Sequence, residues 1–417
     1  MKIISSLYVI LLILYSFFII YKYIKFKKIA KLKNNNINIK IKDNKGLFIA
    51  IPCLREQSCI ENTIKYFRQI TDLPIVIVTT KKEDIEYNFN SNILTTKDIV
   101  EKNIIKTYDD VYLVHYPYEE GYMADQLNYM IDNLSSLEFY DDKKDWYMAL
   151  YNADSSPSKN SFDAIINAIN ENSKVIQQYS YCFKNYDNLN FLTKGFAIYQ
   201  SNFEIKIGLY NSLLNYKFLY QYVVGHGLTI NLEILRKMGK FNTRFWCEDI
   251  YLTMKCKFRN ININTILNLE NIENAANLKQ VMKQNSVWYN TTKKYNKLYK
   301  DIKNNEHKTN LNAILGCINE FKCSLNWIGF PLITFLNLIL TLYNKYYYLF
   351  ILVQLSYALY VFINLFITIK TINILENKKY KINIRNYFAL FFATLISNIG
   401  PLYSIFTNEK QKYKTER

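Results

Sequence analysis

Residues 3–21 contain no charged side chain, and this apolar run restricts what the N-terminal part of the chain can become. A helix of this length is close to the roughly 20 residues that cross the hydrocarbon core of a bilayer. Lysines begin directly after the run, and no small-residue cleavage site follows, which favours an uncleaved anchor over a secretory signal. Since basic flanks prefer the cytoplasmic side, we expect an anchor over residues 1–24 and a basic cytoplasmic linker over residues 25–45.

Three further apolar stretches lie near the C-terminus, at about residues 327–343, 347–369 and 386–407. If the middle region is cytoplasmic, the chain crosses the membrane twice before it reaches the basic link between the last two stretches. That link is then cytoplasmic again, as the positive-inside rule requires. The sequence therefore predicts a multi-pass protein of the cell membrane, with a C-terminal membrane region over residues 306–417. The last stretch contains Asn398 and Pro401, so it is compatible with a spanning, a re-entrant or an interfacial helix.

The chain is strongly basic, with Lys+Arg 52 against Asp+Glu 35 and a formal net charge of +17. Such an excess is typical of proteins that bind nucleic acid or an anionic membrane surface. Here the lysines are spread among Asn, Ile and Tyr, and no signature of an RNA-binding module is present, so no nucleic-acid partner is expected. The seven cysteines include no Cys-x-x-Cys pair, which argues against a zinc site.

Residues 46–305 are expected to form one domain between the membrane segments. Over residues 46–270, short apolar runs alternate with amphipathic segments, which is the pattern of an α/β domain with a mainly parallel sheet. Three of these runs end at Ile51, Val78 and Tyr151. Because ligands of open α/β sheets gather at the carboxyl ends of the strands, the loops after these residues are expected to share one cleft.

Asp154 follows one of these runs, in the segment Asn152-Ala153-Asp154-Ser155-Ser156-Pro157. A carboxylate in such a turn can hold Mg²⁺ or Mn²⁺, since these ions prefer oxygen ligands and commonly take several from phosphates. Asp, Ser and Pro also favour turns in general, so a purely structural Asx turn is the alternative interpretation.

Glu248 and Asp249 stand at the start of a segment with helical character, over residues 248–258. A carboxylate here can act as a general base for an attacking hydroxyl, and we assign that role to Asp249, with Glu248 supporting it. Favourable charge at a helix N-terminus explains the same pair without any chemistry.

His226 lies between Gly225 and Gly227, where the glycines allow the backbone to approach a ligand closely. A histidine in this setting is more often a turn residue than a catalyst. Gln284 and Trp288 are four residues apart, so a helix places them on one face, where an indole beside an amide suits a sugar ring. Ordinary helix packing explains this pair equally well.

Taken in order, these segments resemble a membrane-bound family 2 glycosyltransferase, of the group that contains the hyaluronan, chitin and cellulose synthases. The resemblance runs from about Phe48 to Trp288. It rests on the following motifs: Ile51-Pro52-Cys53-Leu54-Arg55-Glu56, Ala124-Asp125-Gln126-Leu127-Asn128, Asn152-Ala153-Asp154, Gly225-His226-Gly227, Glu248-Asp249, and Gln284 with Trp288. Each motif is short, and their order and spacing carry the specificity.

The resemblance implies a cytoplasmic catalytic domain with a GT-A fold, a Rossmann-like nucleotide-diphospho-sugar transferase fold. It further implies a nucleotide-sugar donor, for which a UDP-sugar is expected, a lipid-linked or glycan acceptor, and inversion at the anomeric carbon. By the same resemblance Asp154 binds Mg²⁺ or Mn²⁺, and Asp249 is the base. The implied donor-binding residues are Pro52, Arg55, Glu56, Thr79, Asn128 and Asn152. The implied acceptor-binding residues are Gly225, His226, Gly227, Gln284 and Trp288.

Three motifs depart from the family pattern. Thr79 and Thr80 stand where relatives often carry acids that recognise the nucleoside, and Asn152 replaces the first acid of the usual Asp-x-Asp. Val287 replaces the arginine of Gln-x-x-Arg-Trp, which polymerising members use. We therefore expect transfer of one or a few sugars. The alternatives are a processive polysaccharide synthase and a catalytically silent membrane scaffold or sugar-binding protein.

Overall fold

The computed structural model describes residues 2–31, 39–87, 94–215, 221–245, 247–306 and 311–407. Residues 32–38 of the expected basic linker, and the basic tail beyond Thr407, lie outside these ranges. The described chain combines an α/β unit, which carries the candidate site, with long apolar helices before and after it.

Helices make up most of the described chain. In chain order they are α1 (Lys2–Lys31), α2 (Ile60–Ile70), α3 (Lys81–Tyr87), α4 (Thr96–Ile99), α5 (Met123–Asp132), α6 (Ser161–Asn170), α7 (Phe191–Phe203), α8 (Tyr210–Leu214), α9 (Leu232–Lys237), α10 (Glu248–Phe258), α11 (Leu278–Lys293), α12 (Tyr295–Glu306), α13 (Leu311–Tyr343), α14 (Tyr347–Glu376), α15 (Ile384–Ile396) and α16 (Ile399–Phe406). A π-helical segment, Glu204–Leu209, joins α7 to α8 without a break.

The strands are short. They are β1 (Lys45–Pro52), β2 (Ile75–Thr80), β3 (Val111–Tyr116), β4 (Asp145–Leu150), β5 (Ser156–Pro157), β6 (Val175–Gln177), β7 (Ser180–Tyr181), β8 (Leu228–Asn231), β9 (Ile263–Thr265) and β10 (Glu270–Asn271).

Within the described residues, seven strands form one mixed sheet in the order β3-β2-β1-β4-β8-β6-β9. The first four are mutually parallel, with Ile49 of β1 opposite Ile75 of β2 and Ala149 of β4. β8 is antiparallel to both of its neighbours, β4 and β6. The prediction of an α/β domain with a mainly parallel sheet is confirmed. β8 was not foreseen, because a buried strand of four residues shows too little periodicity to be told from the helix that follows it.

Apolar side chains on the two faces of the sheet pack under different helices, since successive residues of a strand point to opposite faces. On one face, Val76 lies in the same buried cluster as Leu127 of α5. On the other face, Ile77 lies with Ile64 of α2 and Ile165 of α6. The sheet is thus covered on both sides, and only its edges and strand ends remain for ligands.

A second, three-stranded sheet in the described chain has the order β5-β10-β7. Glu270 of β10 pairs with Pro157 of β5 and with Ser180 of β7. Because Pro157 ends the turn that contains Asp154, this small sheet brings Glu270 close to the candidate metal-binding turn.

Four segments of the described chain are long and apolar enough to cross a membrane: Lys2–Lys31, Ala313–Tyr343, Tyr347–Glu376 and Ile384–Phe406. They overlap the four predicted stretches, although the second begins at Ala313, well before residue 327. The first helix continues past residue 24 to Lys31, about two further turns. In these turns Phe26 packs against the Tyr210 ring, with centroids 5.2 Å apart.

The last apolar segment, α15 with α16, contacts the α/β unit at both ends. At its start, Tyr186 Oη donates a hydrogen bond of 2.9 Å to Asn386 Oδ1. At its end, Lys293 Nζ donates to the main-chain oxygens of Ser404 and Thr407. These contacts favour the interfacial or re-entrant interpretation over a full crossing.

Candidate functional site

The carboxyl ends of β1, β2, β3 and β4 lie at one edge of the sheet, because these strands are parallel. The loop after β1 is fixed there by Glu83 of α3, whose buried carboxylate accepts hydrogen bonds from Arg55 N (2.8 Å) and Thr96 N (2.6 Å). Arg55 has a φ of +58°, a left-handed conformation that this contact helps to hold.

Further hydrogen bonds join the loops along this edge. Glu56 N donates to Thr96 Oγ1 at 2.9 Å, which ties the loop after β1 to α4. Thr63 Oγ1 of α2 donates to the main-chain oxygen of Ala153, in the turn after β4. The structure therefore brings together the loops after β1, β2 and β4, as the sequence predicted.

Asp154 lies in that turn and is almost fully buried, with 3% of its surface exposed. Its main-chain oxygen accepts a hydrogen bond of 2.7 Å from Lys184 Nζ. Asn152 N donates to Ser155 Oγ at 2.9 Å and closes the turn. The expected turn is thus present, and the carboxylate of Asp154 is buried in the protein interior.

The donor set near Asp154 is sparse. Within the described ranges, no group of three or more His, Cys, Asp and Glu side chains is arranged to hold a metal ion by itself. Mg²⁺ commonly uses one or two carboxylates and completes its shell with water and substrate phosphates. One buried carboxylate therefore fits a cation that arrives with a phosphorylated ligand, and does not fit a permanently bound structural ion.

His226 lies beside this turn and is ion-paired. Its Nδ1 is 3.0 Å from Oε2 of Glu270, a carboxylate with no exposed surface. Burial, the largest single influence, disfavours charge on the imidazole, but the attraction of Glu270, its hydrogen bond and the more distant acids together outweigh burial and raise the pKa of His226 to about 9. Glu204 and Asp154 add to this attraction from further away. The imidazole is therefore a buried cation at neutral pH.

Glu204, in the π-helical segment after α7, is the second buried acid near His226. Burial raises the pKa of its carboxyl to about 7, although His226 pulls it down. Tyr222 Oη donates a hydrogen bond of 3.3 Å to Glu204 Oε1. The imidazole of His226 thus lies near three acidic side chains, and burial keeps the carboxyl of Glu204 partly protonated at neutral pH.

Glu248 and Asp249 occupy the first turn of α10, which has the predicted bounds. Glu248 is buried, and its Oε1 lies 3.9 Å from the position that a Cβ on Gly225 would have. Asp249 is half-buried and lies within electrostatic range of Glu320 on α13. The loop Gly225–Gly227 therefore lies beside Glu248, and His226 in this loop lies within electrostatic range of Asp154.

A small cleft of about 60 Å³ opens next to Glu248. Its walls are the start of α5 and the loop before α10, with the lining residues Tyr122, Ala124, Asn242, Thr243, Arg244, Phe245 and Glu248. Asn128 of α5 fixes this loop: its Nδ2 donates to Phe241 O (2.8 Å), and its Oδ1 accepts from Phe241 N (3.0 Å). The structure thus shows Asn128 positioning the wall of the cleft.

Thr79 is buried at the end of β2, and its hydroxyl lies 3.0 Å from His115 Nδ1. The other nitrogen of that ring, Nε2, is 3.2 Å from Asp84 Oδ2 on α3. An acid, Asp84, therefore lies near the end of β2. It comes later in the chain than the acids of the family pattern, and the His115 ring connects it to Thr79.

Gln284 and Trp288 lie one turn apart on α11, as predicted, and both are half-buried. On the same helix Asn285 packs against Gly400, and Asn290 Oδ1 accepts a hydrogen bond of 3.2 Å from Ser404 Oγ. The packing interpretation therefore accounts for the position of α11 against α16. Val287, where the family has arginine, is buried.

Sequence reasoning missed Glu204, Glu270 and Lys184. Each is a single charged residue in a segment with no motif, and Glu270 meets His226 only because β10 pairs with β7 and β5. The one signal in the sequence is an acid inside the otherwise apolar and amide-rich run Leu267–Asn271, where a buried charge requires a partner.

Comparisons with known proteins add little. No protein-family model matches the chain, and no curated protein matches it. Among solved structures, it is similar to the mannosyltransferase PcManGT from Pyrobaculum calidifontis in complex with GDP-Man and Mn²⁺. That likeness has a TM-score of 0.47 and 12% identity, over 97% of this chain and 100% of the other. A TM-score this low supports no functional inference, so the interpretation below rests on this chain's own residues.

Proposed function

We propose that the chain is a membrane-associated, metal-dependent glycosyltransferase of the family 2 type with a GT-A fold. It would transfer one or a few sugars from a nucleoside-diphosphate sugar, with a UDP-sugar as the first candidate. The acceptor would be a lipid-linked or glycan hydroxyl, and the anomeric configuration would be inverted. The catalytic unit would face the cytoplasm, on the side of the basic end of α1.

The observation that supports this proposal is that one loop, Gly225–Gly227, lies beside Glu248 and within electrostatic range of Asp154. Glu248 Oε1 lies 3.9 Å from the Cβ position at Gly225, and Asp154 acts electrostatically on His226, the next residue. Asp249, the proposed base, follows Glu248 directly in the first turn of α10. A base and a metal ligand for glycosyl transfer must flank one substrate.

Support for the donor side comes from the hydrogen-bonded edge at the carboxyl ends of the parallel strands. Open α/β sheets bind nucleotides at this edge. Pro52, Arg55, Glu56, Thr79 and Asn152 all belong to the strand ends and loops there. We assign them to the donor nucleotide and its diphosphate, while Asn128 would act by positioning the cleft wall.

The proposed reaction is a direct displacement. The acceptor oxygen attacks the anomeric carbon, the bond from that carbon to the diphosphate oxygen breaks, and the acceptor proton passes to Asp249. Glu248 would orient Asp249 and hold the loop at Gly225. Gly227, Gln284 and Trp288 would border the acceptor.

Positive charge is needed where the diphosphate departs. Asp154 would hold Mg²⁺ or Mn²⁺, which supplies Lewis-acid neutralisation of the leaving group when it is bound. His226, kept protonated by Glu270, contributes a fixed positive charge at the border of the same region. Val287 supplies no charge, which favours short additions over polymer synthesis.

The test uses the purified full chain in detergent or nanodiscs, incubated with a panel of uridine and guanosine diphospho-sugars and either Mn²⁺ or Mg²⁺. We expect release of the nucleoside diphosphate from one donor, its loss on chelation, and its recovery when the metal is restored. Asp154→Asn should abolish this activity, whereas the exposed Asp142→Asn should not.

Product analysis separates the alternatives. A ladder of product lengths from one acceptor would identify a processive synthase. Absence of donor turnover and of hydrolysis with every nucleotide sugar, in a folded protein, would leave the scaffold or sugar-binding interpretation and overturn the proposal.

A further inference from the structure

A cavity of about 190 Å³ lies where the α/β unit meets the link between the last two apolar segments. The α/β unit contributes residues of the loop after β7, and the link contributes residues between the end of α14 and the start of α15. The cavity shares no lining residue with the small cleft beside Glu248. It is smaller than the roughly 300–1,000 Å³ of sites for drug-sized ligands, so it suits a group of about one ring.

Part of the cavity wall is aromatic. Phe183 and Tyr186 have ring centroids 4.6 Å apart, and Tyr380 of the link lies perpendicular to Phe183 with centroids 5.2 Å apart. Asn373 of α14 holds Tyr380, since its Nδ2 donates to Tyr380 O and its Oδ1 accepts from Tyr380 N, each at 2.9 Å. Lys194 Nζ lies 5.4 Å from the Tyr186 centroid and holds that ring as well. The aromatic wall is therefore fixed before a ligand binds.

Two amides beside this wall have donors to spare. Tyr186 Oη donates to Asn386 Oδ1 at 2.9 Å, and Asn386 N donates to Asn383 Oδ1 at 2.8 Å, which caps α15. Both amide oxygens are thus used within the protein. Among the described residues, no acceptor is bonded to the Nδ2 group of either amide, and both residues line the cavity. Each Nδ2 group carries two N–H donors that a ligand can use.

The charges at the cavity favour a neutral ligand. Asp187 and Lys381 both line it, so their formal charges cancel. An anion would be attracted by Lys381 and repelled by Asp187, and a cation would experience the reverse. The hydroxyl groups of a sugar can accept hydrogen bonds from the amides and the ammonium, and can donate to the carboxylate. The C–H groups of a sugar ring pack against an aromatic wall, so a sugar matches both parts of the cavity.

The loop that lines the cavity also contacts the candidate metal-binding turn. Lys184 follows Phe183 in this loop, and its Nζ donates to the main-chain oxygen of Asp154 at 2.7 Å. Phe183 N donates to Asn271 Oδ1 of β10 at 3.1 Å, which ties the loop to the small sheet. A ligand in the cavity therefore binds a loop that is directly bonded to the candidate site.

We propose that this cavity binds a neutral sugar unit of the acceptor glycan, at a distance from the hydroxyl that reacts. The link that forms one side of the cavity joins two apolar segments, so the glycan is one presented at the membrane surface. The role of this sugar as part of an acceptor rests on the proposed transferase function. The binding of the sugar does not, and it can be measured without any donor.

The test uses the full chain in phosphatidylcholine nanodiscs, because a sugar-headed detergent could itself occupy the cavity. Saturation-transfer NMR is recorded with the methyl glycosides of glucose, galactose, mannose and N-acetylglucosamine, without a nucleotide sugar. We expect at least one glycoside to receive saturation. Asp187→Asn and Asn383→Ser should each weaken its binding by roughly tenfold, because each removes a hydrogen-bonding group from the cavity.

Both substitutions are at exposed positions, and serine can still cap α15, so both variants are expected to fold. Asn277→Ser is the matched control: Asn277 is also an exposed N-cap, accepting from Gln280 N at 3.0 Å, and it does not line the cavity. Asp142→Asn is the control for the loss of an exposed carboxylate. Both controls should bind the glycoside as the wild type does.

No saturation of any of the four glycosides, or equal affinities in all five proteins, would overturn the proposal. So would binding of inorganic phosphate, in place of a glycoside, that is lost in Lys381→Met, since the cavity would then be an anion site. Donor turnover that depends on Asp154, without glycoside binding, would remove this site alone. Glycoside binding with the expected pattern in a protein without donor turnover would support the sugar site and remove the proposed transferase function.

Discussion

The imidazole of His226 and the carboxylate of Glu270 form a buried ion pair, with 3.0 Å between Nδ1 and Oε2. His226 belongs to the loop beside Glu248, and it lies within electrostatic range of Asp154. Because the pair is shielded from water, its charge state is coupled to folding and to any anionic ligand in the adjoining site.

The stability of the protein should therefore fall in alkaline solution. The pKa of His226 rises from 6.5 to about 9 on folding, so its stabilising contribution is complete below pH 6.5 and is lost as the pH rises through 9. The size of this contribution is roughly 3 kcal/mol. Melting temperatures measured across this range should decline in the wild type. A His226→Asn variant should be less stable overall, and its decline over this window should be much smaller.

Glu204 should produce a separate, earlier decline. Burial raises the pKa of its carboxyl from 4.5 to about 7, so the folded protein holds a proton that the unfolded chain releases. Stability conferred by that proton is present below pH 4.5 and is lost as the pH rises through 7. Glu204→Gln should flatten the plot of melting temperature against pH between pH 4.5 and 7. The decline at higher pH that is assigned to His226 should remain. An unchanged slope of melting temperature against pH in this variant would mean that Glu204 is ionised in the folded protein.

Replacing Asp249 by asparagine should remove turnover and keep donor binding. A well-placed general base contributes about 10²–10⁴-fold, so the rate of nucleoside diphosphate release should fall by roughly that factor. Calorimetric affinity for the donor should change little, since Asp249 is assigned to the acceptor proton. Near-normal turnover in Asp249→Asn would remove this residue from the role.

Glu83→Gln should weaken donor binding without changing the chemical step. The buried carboxylate holds Arg55 N and both polar groups of Thr96, and an amide cannot accept all three hydrogen bonds. The loop after β1 should then loosen, so the KM for the donor should rise while kcat stays similar. Glu101→Gln is the matched control, because Glu101 is about half exposed and pairs only loosely with Lys97 at 3.9 Å. Equal KM values in both variants would contradict the positioning role.

Gly195→Ala should detach the last apolar segment from the α/β unit. A Cβ at this position would lie 2.1 Å from the main-chain oxygen of Ala389, so α7 and α15 must separate. Overpacking of this kind typically costs about 1–3 kcal/mol. Gly329→Ala is the control within a helix, since its Cβ would meet only Ile333 Cδ1 at 3.9 Å. We expect a lower melting temperature in detergent for the first variant and an unchanged or higher one for the second.

Several elements could be predicted because their signals are local. The uncharged run before Lys22 predicts a membrane helix by its length alone, and the acids at Glu248 and Asp249 mark the start of α10 correctly. The apolar runs that end near Ile51, Val78 and Tyr151 predict parallel strands, and their shared edge follows from that geometry. The roles assigned to Asp154 and Asp249 remain predictions.

Other features depend on residues that are remote in the chain. Nothing near Glu270 marks it as the partner of His226, and nothing in α1 shows that Lys22 will be covered by the π-helical segment that carries Lys206. The last apolar segment is another example: its composition permits a crossing, and only its contacts with Tyr186 and Lys293 favour the interface.

The sequence by itself determined the apolar helices that are long enough to cross a membrane, the α/β alternation and the turns that carry the candidate acids. Helix length, apolar periodicity and turn chemistry act over a few neighbouring residues, so their signals are local. The tertiary structure alone decided which charges are buried and what faces them. Burial and ion pairing depend on strand order and helix packing, which join residues such as His226 and Glu270 from separate parts of the chain.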